Sequence, residues 1–266
     1  MSGTSFRWDA SEYARNSAAQ MEWALELIEK LELTGDESVL DLGSGDGKVS
    51  AEIARRVPAG QVLGVDSSED MIGLSRRSLP PSGFPNLSFQ RGDARALDFD
   101  ARFDVVFSNA TLHWVKDHGP VLKGAARSLR PRGRILFQMG GRGNGAEIFE
   151  VAQRMVATPE WGRFFAPFEF PWGFYGPDEY IPWCSAAGLR VRRIELLPRT
   201  MLQKGAEGLS GWIRTTWMPY TERVPEDRRD AFILEASARY LDLHPTDAQG
   251  NVGVGMIRLE VDAVKG

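Results

Sequence analysis

The stretch VLDLGSGDGKVS, residues 39–50, decides the fold class. An apolar run from Val39 to Leu42 predicts a strand, and a turn with glycines at positions 43, 45 and 47 follows it. Residues 48–57 then have helical spacing, and Pro58 ends the helix. Glycine allows backbone angles that side chains forbid and lets a ligand approach the main chain closely. A strand, a glycine-rich turn and a helix in this order predict the first unit of a ligand-binding α/β sheet.

The same alternation continues along the chain. Strand-like runs recur at 61–65, 87–90, 103–107 and 135–139, with helical stretches at 68–78 and 119–129. Strand and helix therefore alternate five times, which predicts βαβ units and a parallel sheet. Right-handed crossovers then bring the carboxyl ends of the strands to one edge, where ligands bind. We expect a Rossmann-like, seven-stranded, mostly parallel sheet with helices on both faces.

The domain organisation follows from where this alternation stops. Residues 1–266 are predicted to form a single domain, with an N-terminal helix in 1–34 and a ligand-binding core in 36–143. Strand-like runs at 189–200 and 251–264 are expected to complete the sheet. The segments 144–188 and 201–250 are then expected to form a helical cap. The first of them is rich in aromatic residues: Trp161, Phe164, Phe165, Phe168, Phe170, Trp172, Phe174 and Tyr175.

Composition narrows the function classes. The net charge is −4, which opposes binding to phosphate backbones, so we expect no nucleic-acid partner. A single cysteine, Cys184, allows no internal disulfide and fits a reducing cytoplasm. No apolar run of about 18 residues is present, so no membrane partner is expected. The three histidines have no metal-ligand spacing, and no metal is predicted.

Charged residues around the glycine turn indicate the kind of ligand. Asp41 precedes the turn and Asp46 lies within it. A pyrophosphate needs helix N–H groups without a nearby carboxylate, whereas the ammonium of an amino-acid ligand is attracted by carboxylates. The glycines also follow G-x-G-x-G rather than G-x-G-x-x-G, the spacing of dinucleotide-binding turns. Both features favour a cationic ligand without phosphate.

Two further acids follow the next two strands. Asp66 ends the second strand, where a carboxylate can accept hydrogen bonds from both hydroxyls of a ribose. Asp93, in the GDA turn at 92–94, follows the third strand and could accept from the exocyclic amine of adenine. Each acid alone also fits an ordinary turn or helix cap. Together with the glycine turn they predict one adenosyl ligand across three adjacent strand ends.

The three motifs together resemble the class I S-adenosylmethionine-dependent methyltransferase family. The resemblance continues in SNATLHWV, residues 108–115, and LRPRGRILFQM, residues 129–139. Within the family the chain resembles the group of trans-aconitate and juvenile hormone acid methyltransferases, on the basis of LHWV, QMGGRGN at 138–144 and IRTTWMPY at 213–220. The resemblance covers nearly the whole chain. It departs from many relatives at Ser44, where they have cysteine.

The resemblance implies S-adenosylmethionine as cofactor and assigns roles to individual residues. Asp41 and Gly43 would face the methionine part, Asp66 the ribose, and Asn109 the sulfonium. Met71 would pack on adenine, which Asp93 and the backbone of Ala94 would recognise. Ser44, Gly45 and Ser67 complete the expected cofactor contacts.

The acceptor is expected to lie between the N-terminal helix and the end of the fourth strand. Tyr13, Gln20 and Trp23 on that helix match a pattern seen in related chains, although Trp23 also fits the helix's apolar face. His113 and Trp114 follow the fourth strand. His113 could act as a general base, donate to an acceptor oxygen, or simply pack under the cap. His118 and His244 lie in turn-like contexts, and we expect both to be solvated.

Several functions remain open at this stage. The first is methyl transfer to a small molecule, with a carboxylic acid oxygen as acceptor. The second is methylation of a carbon or hydroxyl of a specialised metabolite, with His113 as base. A nucleic-acid methyltransferase is less favoured because SNAT stands where amino-methylating DNA enzymes carry N-P-P-[YFW]. A nicotinamide-dependent oxidoreductase is weakened by the turn spacing and Asp41. The oligomeric state is not predicted.

Overall fold

The structure is a computed structural model, and it describes the backbone of residues 18–266 and the side chains from residue 21 onward. Seven strands form one sheet: β1 Ser38–Leu42, β2 Gln61–Asp66, β3 Leu87–Arg91, β4 Phe103–Asn109, β5 Leu129–Gly140, β6 Leu189–Lys204 and β7 Asn251–Lys265. The helices are α1 Ala18–Glu29, α2 Lys48–Arg56, α3 Glu69–Ser78, α4 Gly119–Ser128, α5 Ala146–Val156, α6 Pro159–Gly162, α7 Pro177–Ala186, α8 Gly205–Thr216, α9 Met218–Thr221 and α10 Glu226–Leu243.

The order of the strands places the ligand edge. The sheet runs β3-β2-β1-β4-β5-β7-β6, and the first five strands in this order are parallel to one another. Strand β7 lies antiparallel against β5, with Gly140 opposite Arg258. The chain order reverses between β1 and β4, so the crevice at their carboxyl ends is the expected ligand site. The predicted seven-stranded, mostly parallel sheet is confirmed.

Apolar periodicity explains the two faces of the sheet. Adjacent residues of β1 belong to different apolar clusters, Val39 to one and Leu40 to the other, because neighbouring strand residues point to opposite faces. Helix α1 packs on the Val39 side through Leu27 and Ile28, together with Leu31 just after the helix, and all three are at most 1% exposed. Four of the five β1 residues are buried, which accounts for the nearly continuous apolar run in its sequence.

The chain separates into two compact units. The sheet unit comprises residues 20–142, 172–197 and 258–266, and therefore contains β1–β5 and the parts of β6 and β7 up to 197 and from 258. The other unit, here called the helical unit, comprises 18–19, 143–171 and 198–257 of the described residues. The segment 144–188, expected from sequence to form one part of a cap, is thus divided between them after residue 171.

The helical unit has an aromatic core of its own. Phe149 and Trp217 stack with ring centroids 5.1 Å apart, and Phe165 lies 5.8 Å from Phe232. Trp161 is 1% exposed and donates from Nε1 to Oε2 of Glu235 at 2.9 Å. Two rings of the aromatic segment, Trp161 and Phe165, are therefore buried core residues of this unit.

Candidate functional site

The glycine turn after β1 is shaped by three residues with left-handed backbone. Gly43, Gly45 and Gly47 have φ values of 75°, 53° and 85°. A Cβ on Gly43 would lie 2.0 Å from Cγ2 of Thr111, and one on Gly47 would lie 2.6 Å from the ring of Phe89. A Cβ on Gly45 would meet nothing within 4 Å. Packing therefore requires glycine at 43 and 47, whereas position 45 faces open space beside the turn.

Asp66 joins this turn to the end of β2. Its Oδ2 accepts from the Gly45 N–H at 2.9 Å and its Oδ1 accepts from the Ser68 N–H at 2.8 Å. Its backbone carbonyl accepts from the Gly92 N–H at 2.9 Å, at the start of the GDA turn. Burial raises the pKa of Asp66 in spite of these donors. The three sequence motifs thus meet at one edge of the sheet, as their positions after parallel strands predicted.

Asp41 lies deeper than the sequence alone indicates. It is 2% exposed, and its Oδ2 accepts from the Ser50 hydroxyl of α2 at 2.6 Å. Burial raises the pKa of Asp41 to about 7, Ser50 opposes this rise, and the negative charge of Asp66 adds to it. The carboxyl group is therefore a base that titrates near neutral pH beneath the glycine turn.

The remaining predicted cofactor residues surround this edge. Asp93 caps a short 3₁₀ helix, Ala94–Ala96, and its carboxylate contacts the Arg95 guanidinium at 2.6 Å. Arg95 holds the pKa of Asp93 below its ordinary value. Met71 is 4% exposed in the first turn of α3, and Ser67 is exposed with its carbonyl accepting from Nε of Arg91.

Two buried oxygens at this edge have no hydrogen-bond partner among the described residues. They are Oγ of Ser44 in the glycine turn and Oδ1 of Asn109 at the end of β4. The Thr111 hydroxyl donates towards the carbonyls of Gly43 and Asn109, at 3.0 and 3.1 Å, which ties the two segments together. Buried polar atoms normally have partners, so these oxygens fit a polar ligand between the ends of β1 and β4.

His113 lies in the 3₁₀ helix Leu112–Trp114 that follows β4. Its Nδ1 accepts from the backbone N–H of Gly140, at the end of β5, at 3.4 Å. Burial holds the pKa of His113 well below its ordinary value, and the charges of Arg258 and His118 lower it further. The imidazole is therefore neutral at pH 7. With Nδ1 accepting, its proton is on Nε2, which makes that nitrogen a donor.

Aromatic rings surround His113 within the sheet unit. The Trp114 ring lies 5.7 Å from the imidazole and the Phe174 ring 6.1 Å. Trp172 packs edge-on to Trp114 at 5.5 Å and stacks with Phe174 at 6.2 Å. The Gly173 N–H donates to the His113 carbonyl at 2.9 Å, which holds this segment beside the end of β4. Together they form an apolar wall next to a single polar ring.

Of the three residues predicted on the N-terminal helix, Trp23 has a described side chain. Tyr13 lies outside the described residues, and so does the side chain of Gln20. Trp23 is 7% exposed, and its ring lies 5.7 Å from the guanidinium carbon of Arg258. Its burial agrees with a place on the apolar face of α1, and its contact with a charged residue adds a feature that sequence did not predict.

Sequence reasoning missed two residues near this site. His118 is 1% exposed, so the expectation that it is solvated is wrong. Its Nδ1 contacts the Tyr180 hydroxyl, and its Nε2 contacts the carbonyls of Leu112 at 2.9 Å and Val115 at 2.7 Å, which supports the His113 turn from below. Arg258 was not singled out, although the sequence shows charged residues alternating with apolar ones from 258 to 262, at Arg258, Glu260 and Asp262. His244 is half-buried and stacks on Tyr240 at 4.3 Å.

In the part of the chain that the structure describes, no group of three or more His, Cys, Asp or Glu side chains is arranged to hold a metal ion. Between residues 18 and 266, none of the helices combines the length and apolar character needed to span a membrane.

Comparison with known proteins identifies the family. A family model described as "Methyltransferase domain" matches residues 39–133, from the start of β1 into β5. An uncharacterised methyltransferase of Schizosaccharomyces pombe is 32% identical over 228 residues, which cover 82% of this chain and 84% of that relative. The chain belongs to the class I S-adenosylmethionine-dependent methyltransferase family.

Two further similarities concern the whole chain and its fold. A trans-aconitate 2-methyltransferase of Methylobacterium nodulans is 28% identical over 257 residues, covering 95% of this chain and 96% of its own. The structure of Haemonchus contortus phosphoethanolamine N-methyltransferase 2, in complex with phosphomonomethylethanolamine and S-adenosylhomocysteine, superposes with a TM-score of 0.61 at 18% identity. It covers 96% of this chain and 56% of that one, and shows likeness of fold. The predicted fold and enzyme class are confirmed.

Proposed function

We propose that this methyltransferase methylates a carboxylate oxygen of a small organic acid. The observation that carries the proposal is the state of His113, whose Nδ1 accepts from Gly140 and whose depressed pKa keeps the ring neutral. Such a ring offers an Nε2–H donor and no free basic nitrogen. A carboxylic acid has a pKa of about 4 and is already ionised at neutral pH, so it needs a donor rather than a base.

One set of site residues is proposed to bind the cofactor and another the acceptor. We infer that the end of β2 and the glycine turn hold the cofactor, with Asp66 on the ribose and Asp93 and the Ala94 backbone on adenine. Asp41 and Gly43 would lie towards the methionine part, and Asn109 towards the sulfonium. When bound, S-adenosylmethionine supplies a methyl group on a positively charged sulfur, so that a carboxylate oxygen can take it without losing a proton.

The residues proposed to bind the acceptor would align it with the cofactor and exclude water from it. The rings of Trp114, Trp172 and Phe174 form an apolar wall that would remove water from the acceptor, and Nε2–H of His113 would orient one oxygen. Aligning two bound reactants lowers the barrier by fixing their geometry before reaction. The similarity to trans-aconitate 2-methyltransferases supports an acid as acceptor.

A panel of acceptors with methyl-labelled cofactor tests the proposal. Trans-aconitate, dodecanoate and phenylacetate represent polar, aliphatic and aromatic acids, and 2-phenylethanol serves as a hydroxyl acceptor. We expect label in a methyl ester that mild base releases, and no label in the alcohol. Label that is stable to base, as in an ether or a C-methyl product, would overturn the carboxylate assignment in favour of a carbon or hydroxyl acceptor.

Variants of His113 separate the donor from a general base. A single orienting hydrogen bond is worth about 1–1.5 kcal/mol, so His113→Ala should slow kcat/KM by roughly tenfold. His113→Gln, whose amide can place an N–H near the position of Nε2, should recover part of that loss. A loss of about a thousandfold in both variants would contradict the donor role, because glutamine cannot replace a base.

The pH profile alone does not separate these roles. Because the pKa of His113 lies well below its ordinary value, a His113 base would already be unprotonated at neutral pH. A flat rate above about pH 7 is therefore expected for either role. The glutamine comparison is the measurement that decides between them.

A further inference from the structure

Strand β7 carries an unusual row of buried charges in the sheet unit. Leu259, Val261 and Ala263 belong to the apolar core, whereas the alternate positions, Arg258, Glu260 and Asp262, are 6%, 0% and 7% exposed. Alternation along a strand places these three charged residues on one face of the sheet. Glu260 contacts Lys30 at 2.7 Å, Gln138 at 2.9 Å and Arg193 at 2.5 Å, and Asp262 contacts Arg192 at 2.7 Å.

Arg258 is the member of this row that reaches the candidate active site. It lies opposite Gly140 in the β5–β7 pairing, and Gly140 donates to the imidazole of His113. Its guanidinium carbon lies 5.7 Å from the Trp23 ring. The charge of Arg258 also contributes to lowering the pKa of His113, after burial. One buried cation thus lies among residues that the sequence predicted, on independent grounds, to contact the acceptor.

The chemistry of this position suits an anionic ligand. A guanidinium keeps its positive charge at any physiological pH and can donate two parallel hydrogen bonds to one carboxylate. A carboxylate surrounded by aromatic rings loses its hydration, and a nearby positive charge offsets that cost. A neutral acceptor gains nothing comparable from the guanidinium.

We propose that Arg258 binds a carboxylate of the methyl acceptor and makes the site selective for acids over their neutral analogues. This rests on the proposed carboxylate methylation, and adds the group that recognises the charge. His113 then orients an acceptor oxygen, while Arg258 determines which class of molecule binds. Methylation of the bound carboxylate removes its negative charge, so the ester would bind more weakly than the acid and leave.

The test compares acid and amide in matched variants. The best substrate among trans-aconitate, dodecanoate and phenylacetate is assayed with its own carboxamide as competitor. In Arg258→Met we expect KM for the acid to rise by about 10- to 100-fold, since a charge-assisted hydrogen bond is lost, with kcat changed less than about threefold. Inhibition by the carboxamide should change less than about threefold. Arg190→Met, at an exposed arginine of β6, serves as control and should leave all values unchanged.

One measurement and one alternative variant distinguish a folding defect from a binding defect. Stabilisation by S-adenosylhomocysteine should be the same in wild type and Arg258→Met, because the cofactor half is untouched. Should that variant fail to fold, Arg258→Lys is assayed instead. Lysine retains the positive charge without the two parallel donors of the guanidinium, and should raise KM by about three- to tenfold.

The outcomes distinguish the two proposals. If the wild type methylates acids but KM in Arg258→Met, or in Arg258→Lys where only that variant folds, changes less than about threefold, the role of Arg258 is overturned and the proposed function stands. The same holds if affinity for acid and carboxamide falls together, which indicates a packing role. If the wild type methylates no acid, the proposed function fails and the role of Arg258 fails with it.

Discussion

Replacing Asp66 by alanine is expected to remove most of the stabilisation that S-adenosylhomocysteine gives the protein. The carboxylate already accepts from the backbone N–H groups of Gly45 and Ser68, at 2.9 and 2.8 Å. Its remaining lone pairs are those we assign to the ribose hydroxyls. Hydrogen bonds to a charged acceptor contribute about 1.5–3 kcal/mol, so the substitution should weaken ligand binding by roughly 10- to 150-fold.

The expected change in melting temperature follows from these values. Ligand at about 100 times its Kd stabilises the wild type by about 2.7 kcal/mol, or roughly 8 °C for a chain of this size. At the same concentration, the variant would be at about 0.7–10 times its Kd and gain about 0.3–1.4 kcal/mol, or roughly 1–4 °C. Comparing each variant with and without ligand removes the separate cost of the two lost backbone contacts.

Differential scanning fluorimetry with two controls checks this expectation. Asp70→Ala makes the same chemical change at an exposed position in the first turn of α3 and should keep the full shift. NAD should give no shift in the wild type, because its pyrophosphate would meet the carboxylates around the glycine turn. A full shift in Asp66→Ala would refute the ribose assignment, and a larger shift with NAD than with S-adenosylhomocysteine would refute the cofactor site as described.

Two further predictions concern the glycine turn and the acid beneath it. The folded-state pKa of Asp41 is about 7, above the unfolded value of 3.8, so its contribution to stability is complete below about pH 4 and is lost as pH rises through 7. The free energy of unfolding of the wild type relative to Asp41→Asn should therefore fall by up to about 4 kcal/mol over this range in urea titrations, and a constant difference would contradict the buried acid. Gly45→Ala should cost about 1 kcal/mol of stability, from its φ of 53° alone, while weakening S-adenosylhomocysteine binding in calorimetry. Gly47→Ala should instead destabilise the fold by about 2–4 kcal/mol, because its Cβ would lie 2.6 Å from Phe89; equal effects at the two positions would count against an open ligand edge at Gly45.

The convergence of the glycine turn, Asp66 and the GDA turn could be predicted from local sequence because parallel strands impose it. Residues that directly follow neighbouring parallel strands must meet at one edge, wherever they lie along the chain. Gly45, Asp66 and Gly92 meet in this way, through two hydrogen bonds of 2.9 Å. Asp93 lies at the same edge, but its carboxylate contacts Arg95, a partner that spacing alone did not indicate.

Aromatic residues were harder to assign because their sequence context is uniform. Trp161 and Trp172 belong to one dense aromatic segment, and nothing in their immediate neighbours separates them. Trp161 is part of the core of the helical unit, whereas Trp172 packs against Trp114 beside His113. The difference depends on which elements each ring contacts, and those elements are far away in sequence.

The sequence by itself determined the α/β architecture and the edge where the motifs meet, because strand periodicity, glycine positions and acids after strands are local features. Its resemblance to a known family indicated the methyltransferase class. The tertiary structure alone decided the surroundings of His113 and Arg258. The state of the imidazole depends on the Gly140 N–H at the end of β5, and the position of Arg258 depends on β7 pairing antiparallel with that strand. Both are contacts between segments distant along the chain. The burial that shifts a pKa, and the hydrogen bond that selects a tautomer, exist only after those segments have come together.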